Sequence, residues 1–80
     1  MMAAFVLVKI TASGGWPEID KLHRALHAID GVQTVHLVAG PTDAIVFAEA
    51  ADQAALAATI GKIRQTQGVS STDTRIVWPM

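Results

Sequence analysis

The sequence predicts an α+β fold in which four strands and two helices follow the order β-α-β-β-α-β. Strand-length runs of apolar and β-branched residues recur, and two other stretches carry apolar residues at helical spacing. A Gly-Val pair follows each expected helix, at Gly31 and Val32 and again at Gly68 and Val69. Two βαβ halves of this kind are typical of a ferredoxin-like sandwich, in which a four-stranded antiparallel sheet carries both helices on one face. We expect residues 1–80 to form one such domain.

The first half of the chain supplies one strand and one helix. The strand is expected over residues 4–11, where apolar and β-branched residues are dense, and it should stop at Ser13, Gly14 and Gly15. Pro17 suits the first position of the helix, and Gly31 is a candidate for its C-terminal cap. The apolar stripe of this helix is formed by Ile19, Leu22, Leu26 and Ile29.

The second half begins with two strands, expected over residues 32–39 and 43–50. Asp52 is a good N-cap for the alanine-rich helix that follows, and Lys62 and Arg64 lie near its end before Gly68. The last strand is expected over residues 70–78, where Pro79 ends it. The apolar stripe of the second helix is Leu56, Ile60 and Ile63.

Both faces of the first three strands are largely apolar. In the first strand, for example, Phe5 and Leu7 alternate with Val6 and Val8. A sheet wetted on one side should instead alternate apolar with polar residues. An 80-residue chain without cysteine also has a small core and no disulfide to stabilise it. We therefore expect a homo-oligomer that buries the helix-free side of the sheet against a second subunit.

Composition excludes several function classes. The chain has six basic and seven acidic residues and a net charge of −1, so it lacks the cationic surface that nucleic-acid binding requires. We therefore expect no direct DNA binding. We also expect no membrane association, because the apolar runs are far shorter than a membrane span. The absence of cysteine and of a signal-peptide pattern favours a cytoplasmic location.

Two segments are candidates for a small-molecule site. The first is the turn formed by Gly40, Pro41, Thr42 and Asp43; the second lies in the last strand and includes Ser71, Thr72 and Thr74. Each has an ordinary interpretation as well, since glycine, proline and aspartate dominate turns and threonine is common in strands. Together they offer a carboxylate, hydroxyls and free backbone groups, which is the chemistry needed to hold a zwitterion.

The order and spacing of these pieces resemble one family. From about residue 4 to residue 78 the chain resembles the ligand-binding RAM domain of the Lrp/AsnC (feast/famine) family, in particular the stand-alone members without a DNA-binding part. The likeness rests on the first strand, the two Gly-Val pairs, the turn from Gly40 to Asp43, and Thr72 and Thr74 after the second pair. It implies dimers formed through the sheets, rings or octamers of dimers, and amino-acid effectors bound between dimers. It also implies that Gly40 and Asp43 contact the effector, with Thr72 and Thr74 as candidates from the last strand.

The function expected from these features is a non-enzymatic, oligomeric module that binds an amino acid without a cofactor. It would act on genes through protein contacts, for example by co-assembly with a full-length Lrp/AsnC-type regulator. The alternative is a small dimeric α/β-barrel enzyme of the cofactor-free monooxygenase or isomerase type, which shares the same order of elements. Such an enzyme needs an acid/base or aromatic cluster, and the sequence shows no recognisable one.

Six other residues invite a functional interpretation. His23 and His27 have the i, i+4 spacing of a metal-chelating pair, but no third ligand is evident in the sequence, so we expect them to be solvated. Lys9 is expected to reach water from the end of its strand. His36 lies in the middle of a strand, and the sequence does not place it on either face. The set is completed by two residues that we expect to serve packing or subunit contacts, Trp16 and Trp78.

Overall fold

The computed structural model describes residues 1–11 and 15–78. The expected stop of the first strand at Ser13 and Gly14, and the role of Pro79, lie outside the described residues. The elements follow the predicted order: β1 (Met2–Ile10), α1 (Trp16–His27), β2 (Val32–Leu37), β3 (Ala44–Ala50), α2 (Gln53–Gln65) and β4 (Val69–Val77).

The four strands form one antiparallel sheet in the order β2-β3-β1-β4. The two central strands are β1 and β3, and Val6 of β1 lies opposite Val46 of β3 and Thr74 of β4. Both helices pack on the same side of this sheet, because residues of both contribute to one core with β1 and β3. The ferredoxin-like prediction is therefore confirmed.

The core lies between the helices and the sheet. Val6 and Val8 of β1 are fully buried, as are Leu26 of α1 and Ile63 of α2. A smaller cluster near the other end of the sheet packs Leu56 of α2 on alanines of β1 and β3. The alternation of buried and exposed residues along β1 and β3 assigns every second side chain to the side away from the helices.

Both helices begin close to the expected positions, but the C-cap of the first is Ala28 and not the expected Gly31. The Asp52 carboxylate accepts a hydrogen bond from the Ala55 N–H at 2.8 Å, so α2 has the predicted N-cap. The first helix ends at His27, before the last residue of the expected apolar stripe, and Ile29 packs against the core from the loop that follows. Among the described residues, no helix is long and apolar enough to cross a membrane.

Most strand boundaries moved by one or two residues. Strand β2 ends at Leu37 rather than at residue 39. The Val38 N–H still donates to the Asp43 carbonyl at 3.0 Å, in register with the pairing of β2 and β3, and the chain turns after it. Strand β1 begins two residues earlier than predicted, since Met2 pairs with Ala50 of β3. These shifts leave the pairing of the strands as expected and place the turn before Asp43 at one end of the sheet.

Candidate functional site

Asp43 is held at the end of the sheet by three hydrogen bonds. Its backbone N–H donates to the Val8 carbonyl at 3.0 Å, and its own carbonyl accepts from the Val38 N–H. Its carboxylate Oδ2 accepts from the Ile10 N–H at 2.9 Å. Asp43 thus connects β1 to the turn between β2 and β3. This structural role could not be predicted from the sequence.

The same carboxylate retains capacity for a ligand. An ionised aspartate has two oxygens with about four acceptor positions, and the Ile10 N–H occupies one of them. Asp43 is half-buried, so a cation that approached it would be partly shielded from water. The geometry is compatible with a second, charge-assisted hydrogen bond to an ammonium group.

Asp43 lines a cavity of about 260 Å³ between the start of α1 and the ends of β1 and β2. Asp43 is the one titratable side chain among the described residues that line it. The other lining residues are apolar: Ile10, Trp16, Ile19, Leu37 and Val38. From the sequence alone, Trp16 is expected to serve packing or subunit contacts and Ile19 to belong to the apolar stripe of α1. Only the folded chain brings the start of α1 beside this turn.

The second predicted segment lines a different cavity. Ser71 and Thr72 border a space of about 270 Å³ together with Arg64 from the last turn of α2. Thr72 lies opposite Val8 on β1, whereas Asp43 bonds to Val8 from the other side. Since neighbouring strands are about 4.8 Å apart, the two segments are roughly 10 Å apart across β1. Within one chain, the structure does not bring them together.

The remaining candidate residues lie outside both cavity linings. Gly40 has φ of +137°, and a Cβ at this position would meet nothing within 4 Å, so the glycine serves the backbone of the turn. Pro41 is exposed and Thr42 is half-buried in the same turn. Thr74 is half-buried opposite Val6, in the middle of the β1–β4 pair.

The side of the sheet away from the helices carries an apolar patch, here called the helix-free patch. The Phe5 and Phe47 rings lie opposite each other with centroids 4.9 Å apart. Phe5 is 44% exposed, which is high for an aromatic side chain in a central strand. The patch consists of Phe5, Leu7, Ile45, Phe47 and Val77.

Charged and polar side chains border this patch. Asp73 and Arg75 lie opposite Leu7 and Phe5, and their side chains form an ion pair at 2.8 Å. The hydrogen bond from Arg75 lowers the pKa of the Asp73 carboxyl, and the same bond raises the pKa of the Arg75 guanidinium. Both groups are therefore charged at neutral pH. His36 also borders the patch, because it lies opposite Ile45, and this assigns the face that the sequence left open.

The other residues singled out in the sequence lie apart from these features. The His23 and His27 rings contact each other edge to face with centroids 4.6 Å apart, His23 half-buried and His27 exposed. Among the described residues, no group of three or more histidine, aspartate or glutamate side chains is placed to hold a metal ion. Lys9 is exposed, in line with the expectation that it reaches water.

The family of the chain is shown by comparison with the sequence models of known families. Residues 3–78 match the sequence model of the Lrp/AsnC ligand binding domain. The chain belongs to this family. The resemblance drawn from the first strand, the Gly-Val pairs and the Gly40–Asp43 turn is thereby confirmed. Comparison with curated proteins gave no match.

Solved structures of similar length share the fold of this Lrp/AsnC domain. The protein TTHA0845 from Thermus thermophilus has 25% sequence identity and a TM-score of 0.83, over 100% of this chain and 96% of that one. The hypothetical protein PHS023 from Pyrococcus horikoshii has 30% identity and a TM-score of 0.83, over 100% and 93% of the two chains.

Longer regulators contain the same fold as part of their chain. A feast or famine regulatory protein from M. tuberculosis, solved in complex with L-methionine, has 24% identity and a TM-score of 0.79. The Lrp/AsnC domain described here is covered in full by that alignment but spans 52% of that protein. At this level of identity the comparison shows a common fold.

Proposed function

We propose that this Lrp/AsnC domain is an effector-binding module whose ligand is a free amino acid and whose central contact is the Asp43 carboxylate. The observation that carries the proposal is the position of Asp43, which is fixed by hydrogen bonds to β1 and lines an otherwise apolar cavity. Its carboxylate still has acceptor positions that a ligand could use. The ammonium group of an amino acid is the natural partner of such a carboxylate. Support also comes from the family and from the L-methionine complex of the M. tuberculosis relative.

The separation of the two candidate segments supports a ligand position between two copies of the chain. The ammonium and carboxylate of an amino acid are attached to the same carbon, so one ligand cannot reach Asp43 and Thr72 of a single chain across β1. Two copies can supply the two halves, with Asp43 of one copy for the ammonium and Ser71, Thr72 and Arg64 of another for the carboxylate. This arrangement agrees with effector binding between dimers, which the family resemblance implies.

Oligomerisation is the second part of the proposal. Covering the helix-free patch with the same patch of a second copy would remove two facing phenylalanines and their apolar neighbours from water. The ion pair of Asp73 and Arg75 would then lie at the rim, where charged groups are tolerated. We propose that such dimers assemble further into an octamer or ring.

Any effect on transcription would pass through protein contacts. The net charge of −1 argues against direct DNA binding by these 80 residues. A mixed assembly with a full-length Lrp/AsnC-type regulator would let an effector alter that regulator, provided that the effector binds one assembly more tightly than another. Co-purification of the two proteins with and without effector tests this part.

The binding proposal is tested by a thermal-shift screen of the twenty amino acids followed by calorimetry on the best of them. Binding to the folded state raises the midpoint of unfolding. Asp43→Asn should then lower the affinity about ten- to a hundredfold, since a hydrogen bond to a charged group is worth about 1.5–3 kcal/mol. Asp30→Asn is the matched control, because Asp30 is exposed and lines neither the cavity of Asp43 nor the cavity of Ser71 and Thr72. Equal affinities in the two variants would refute the assignment of Asp43.

A further inference from the structure

We propose that Trp16 and Ile19, at the start of α1, select effectors with an apolar side chain. This inference rests on the proposed function, because it assigns the side-chain part of a site whose ammonium contact is Asp43. Neither residue belongs to the turn or to the last strand, from which the candidate contacts were drawn.

The lining of the cavity sets the chemistry of the ligand side chain. Apart from Asp43, the described residues around it offer Trp16 and four aliphatic side chains. An aliphatic side chain that enters this space loses water without losing a hydrogen bond, whereas a polar side chain would find no described side-chain partner there other than Asp43. The described lining therefore favours leucine-like or methionine-like ligands.

Charge in the same cavity acts against acidic ligands. Asp43 is the only charged side chain among its described lining residues, and no arginine or lysine there offsets it. An effector such as aspartate would bring a second carboxylate close to this one in a partly desolvated space. The volume of about 260 Å³ is below the roughly 300–1,000 Å³ of sites for drug-sized ligands, which suits a compact amino acid.

Among the residues that line the cavity, Trp16 should lose the most exposed area when a ligand binds. The residue is 74% exposed, although it lines the cavity. A bound aliphatic side chain would cover part of the ring and remove apolar area of both partners from water. Ile19, which is half-buried, forms the adjoining wall one turn along α1.

The first test uses the fluorescence of Trp16. The chain has two tryptophans and no tyrosine, so Trp78→Phe leaves Trp16 as the single strong emitter. Trp78 lies after β4 and does not line this cavity. Titration of the Trp78→Phe protein with L-leucine or L-methionine should shift the Trp16 emission to shorter wavelength and saturate at the affinity found by calorimetry. Emission that stays unchanged while calorimetry shows saturation would overturn the inference.

The second test compares affinities across ligands. Each methylene group buried should tighten binding about fourfold, so L-leucine should bind on the order of fiftyfold more tightly than L-alanine, with L-aspartate weaker than both. Trp16→Ala should reduce the preference for leucine to about tenfold or less, whereas Trp78→Ala should leave it intact. Because Trp16 is exposed, its loss should not prevent folding.

The outcomes separate this inference from the proposed function. If alanine, aspartate and leucine bind equally well and the Trp16 variant behaves like the Trp78 variant, the selectivity proposal is wrong and the effector-binding proposal stands. If none of the amino acids binds the wild-type protein, the effector-binding proposal is wrong and the selectivity proposal falls with it.

Discussion

At the scale of single residues, Asp43 serves the fold and the proposed site at once. Its carboxylate accepts the Ile10 N–H at 2.9 Å, and its backbone bonds both to Val8 and to Val38. Truncation to alanine removes the acceptor for a half-buried N–H group as well as the charge that a ligand would meet. A loss of binding in Asp43→Ala would therefore mix a structural effect with a chemical one.

The two roles can be separated by comparing Asp43→Ala with Asp43→Asn. An asparagine amide oxygen can still accept from the Ile10 N–H, so the asparagine variant should unfold at nearly the wild-type urea concentration. The alanine variant should lose about 1–3 kcal/mol of the free energy of unfolding, because it leaves that N–H unpaired. Equal destabilisation of the two variants in urea would show that the hydrogen bond from Ile10 does not stabilise the fold.

At the scale of elements, the two loops that join a helix to the next strand each use a glycine with the same backbone angle. Gly31 and Gly68 both have φ of +99°, a conformation that residues with a Cβ rarely adopt. Their surroundings differ. A Cβ at Gly31 would lie 2.6 Å from Thr59 Oγ1 and 3.1 Å from the Glu49 carbonyl oxygen, whereas at Gly68 the nearest atom is a Leu22 methyl at 3.7 Å.

This difference predicts unequal costs for the same substitution. Gly68→Ala should cost the backbone strain alone, about 1–3 kcal/mol. Gly31→Ala should cost more than Gly68→Ala, because the new methyl group also displaces the Thr59 hydroxyl, which donates to the Asp30 carbonyl at 3.0 Å. Urea unfolding of both variants measures the two costs. A Gly31 variant as stable as the Gly68 variant would mean that α2 moves away from the loop without penalty.

The elements themselves were predictable from local patterns. Asp52 acts as the expected cap of α2, and alternation along β1 and β3 separates a buried face from a more exposed one. The errors were at the ends of elements, where hydrogen bonds from distant residues decide. Strand β2 stops at Leu37, where the turn that leads to Asp43 begins, and no pattern within residues 32–39 shows this end.

At the scale of the whole molecule, the helix-free patch is an apolar surface of the sheet that the fold of one chain leaves uncovered. Side chains of β1, β3 and β4 contribute to it, and Phe5 and Val77 are 44% and 38% exposed. A domain of 80 residues has little stability to spare, and covering this surface would add to it. We expect a dimer or a larger assembly of dimers, and no stable monomer, at micromolar concentration.

Placing a charge in the patch tests that expectation. Leu7 lies between Ile45 and Asp73 on neighbouring strands, so Leu7→Asp would bring a buried carboxylate into the dimer interface beside another acidic residue. The variant should sediment as a monomer. Ala57→Asp, on the exposed face of α2, is the matched control and should sediment like the wild type. A wild-type protein that is monomeric at micromolar concentration would contradict the account of this surface.

The candidate site was less predictable than the fold. The turn from Gly40 to Asp43 could be recognised because its residues are consecutive in the sequence. Trp16 and Ile19 could not be assigned to the same cavity, since they lie far before Asp43 in the sequence and reach it only when α1 packs on the sheet. Ser71 and Thr72 form part of another cavity, because β1 lies between β3 and β4.

A crystal structure of the protein with its tightest-binding amino acid tests the central claim most directly. We expect the ligand ammonium within about 3 Å of the Asp43 carboxylate and the ligand side chain against Trp16. We also expect the ligand carboxylate to be bound by Ser71 or Thr72 of a neighbouring copy. A ligand bound elsewhere, such as the cavity of about 540 Å³ that includes Glu49 and Lys62, would contradict the assignment of the site.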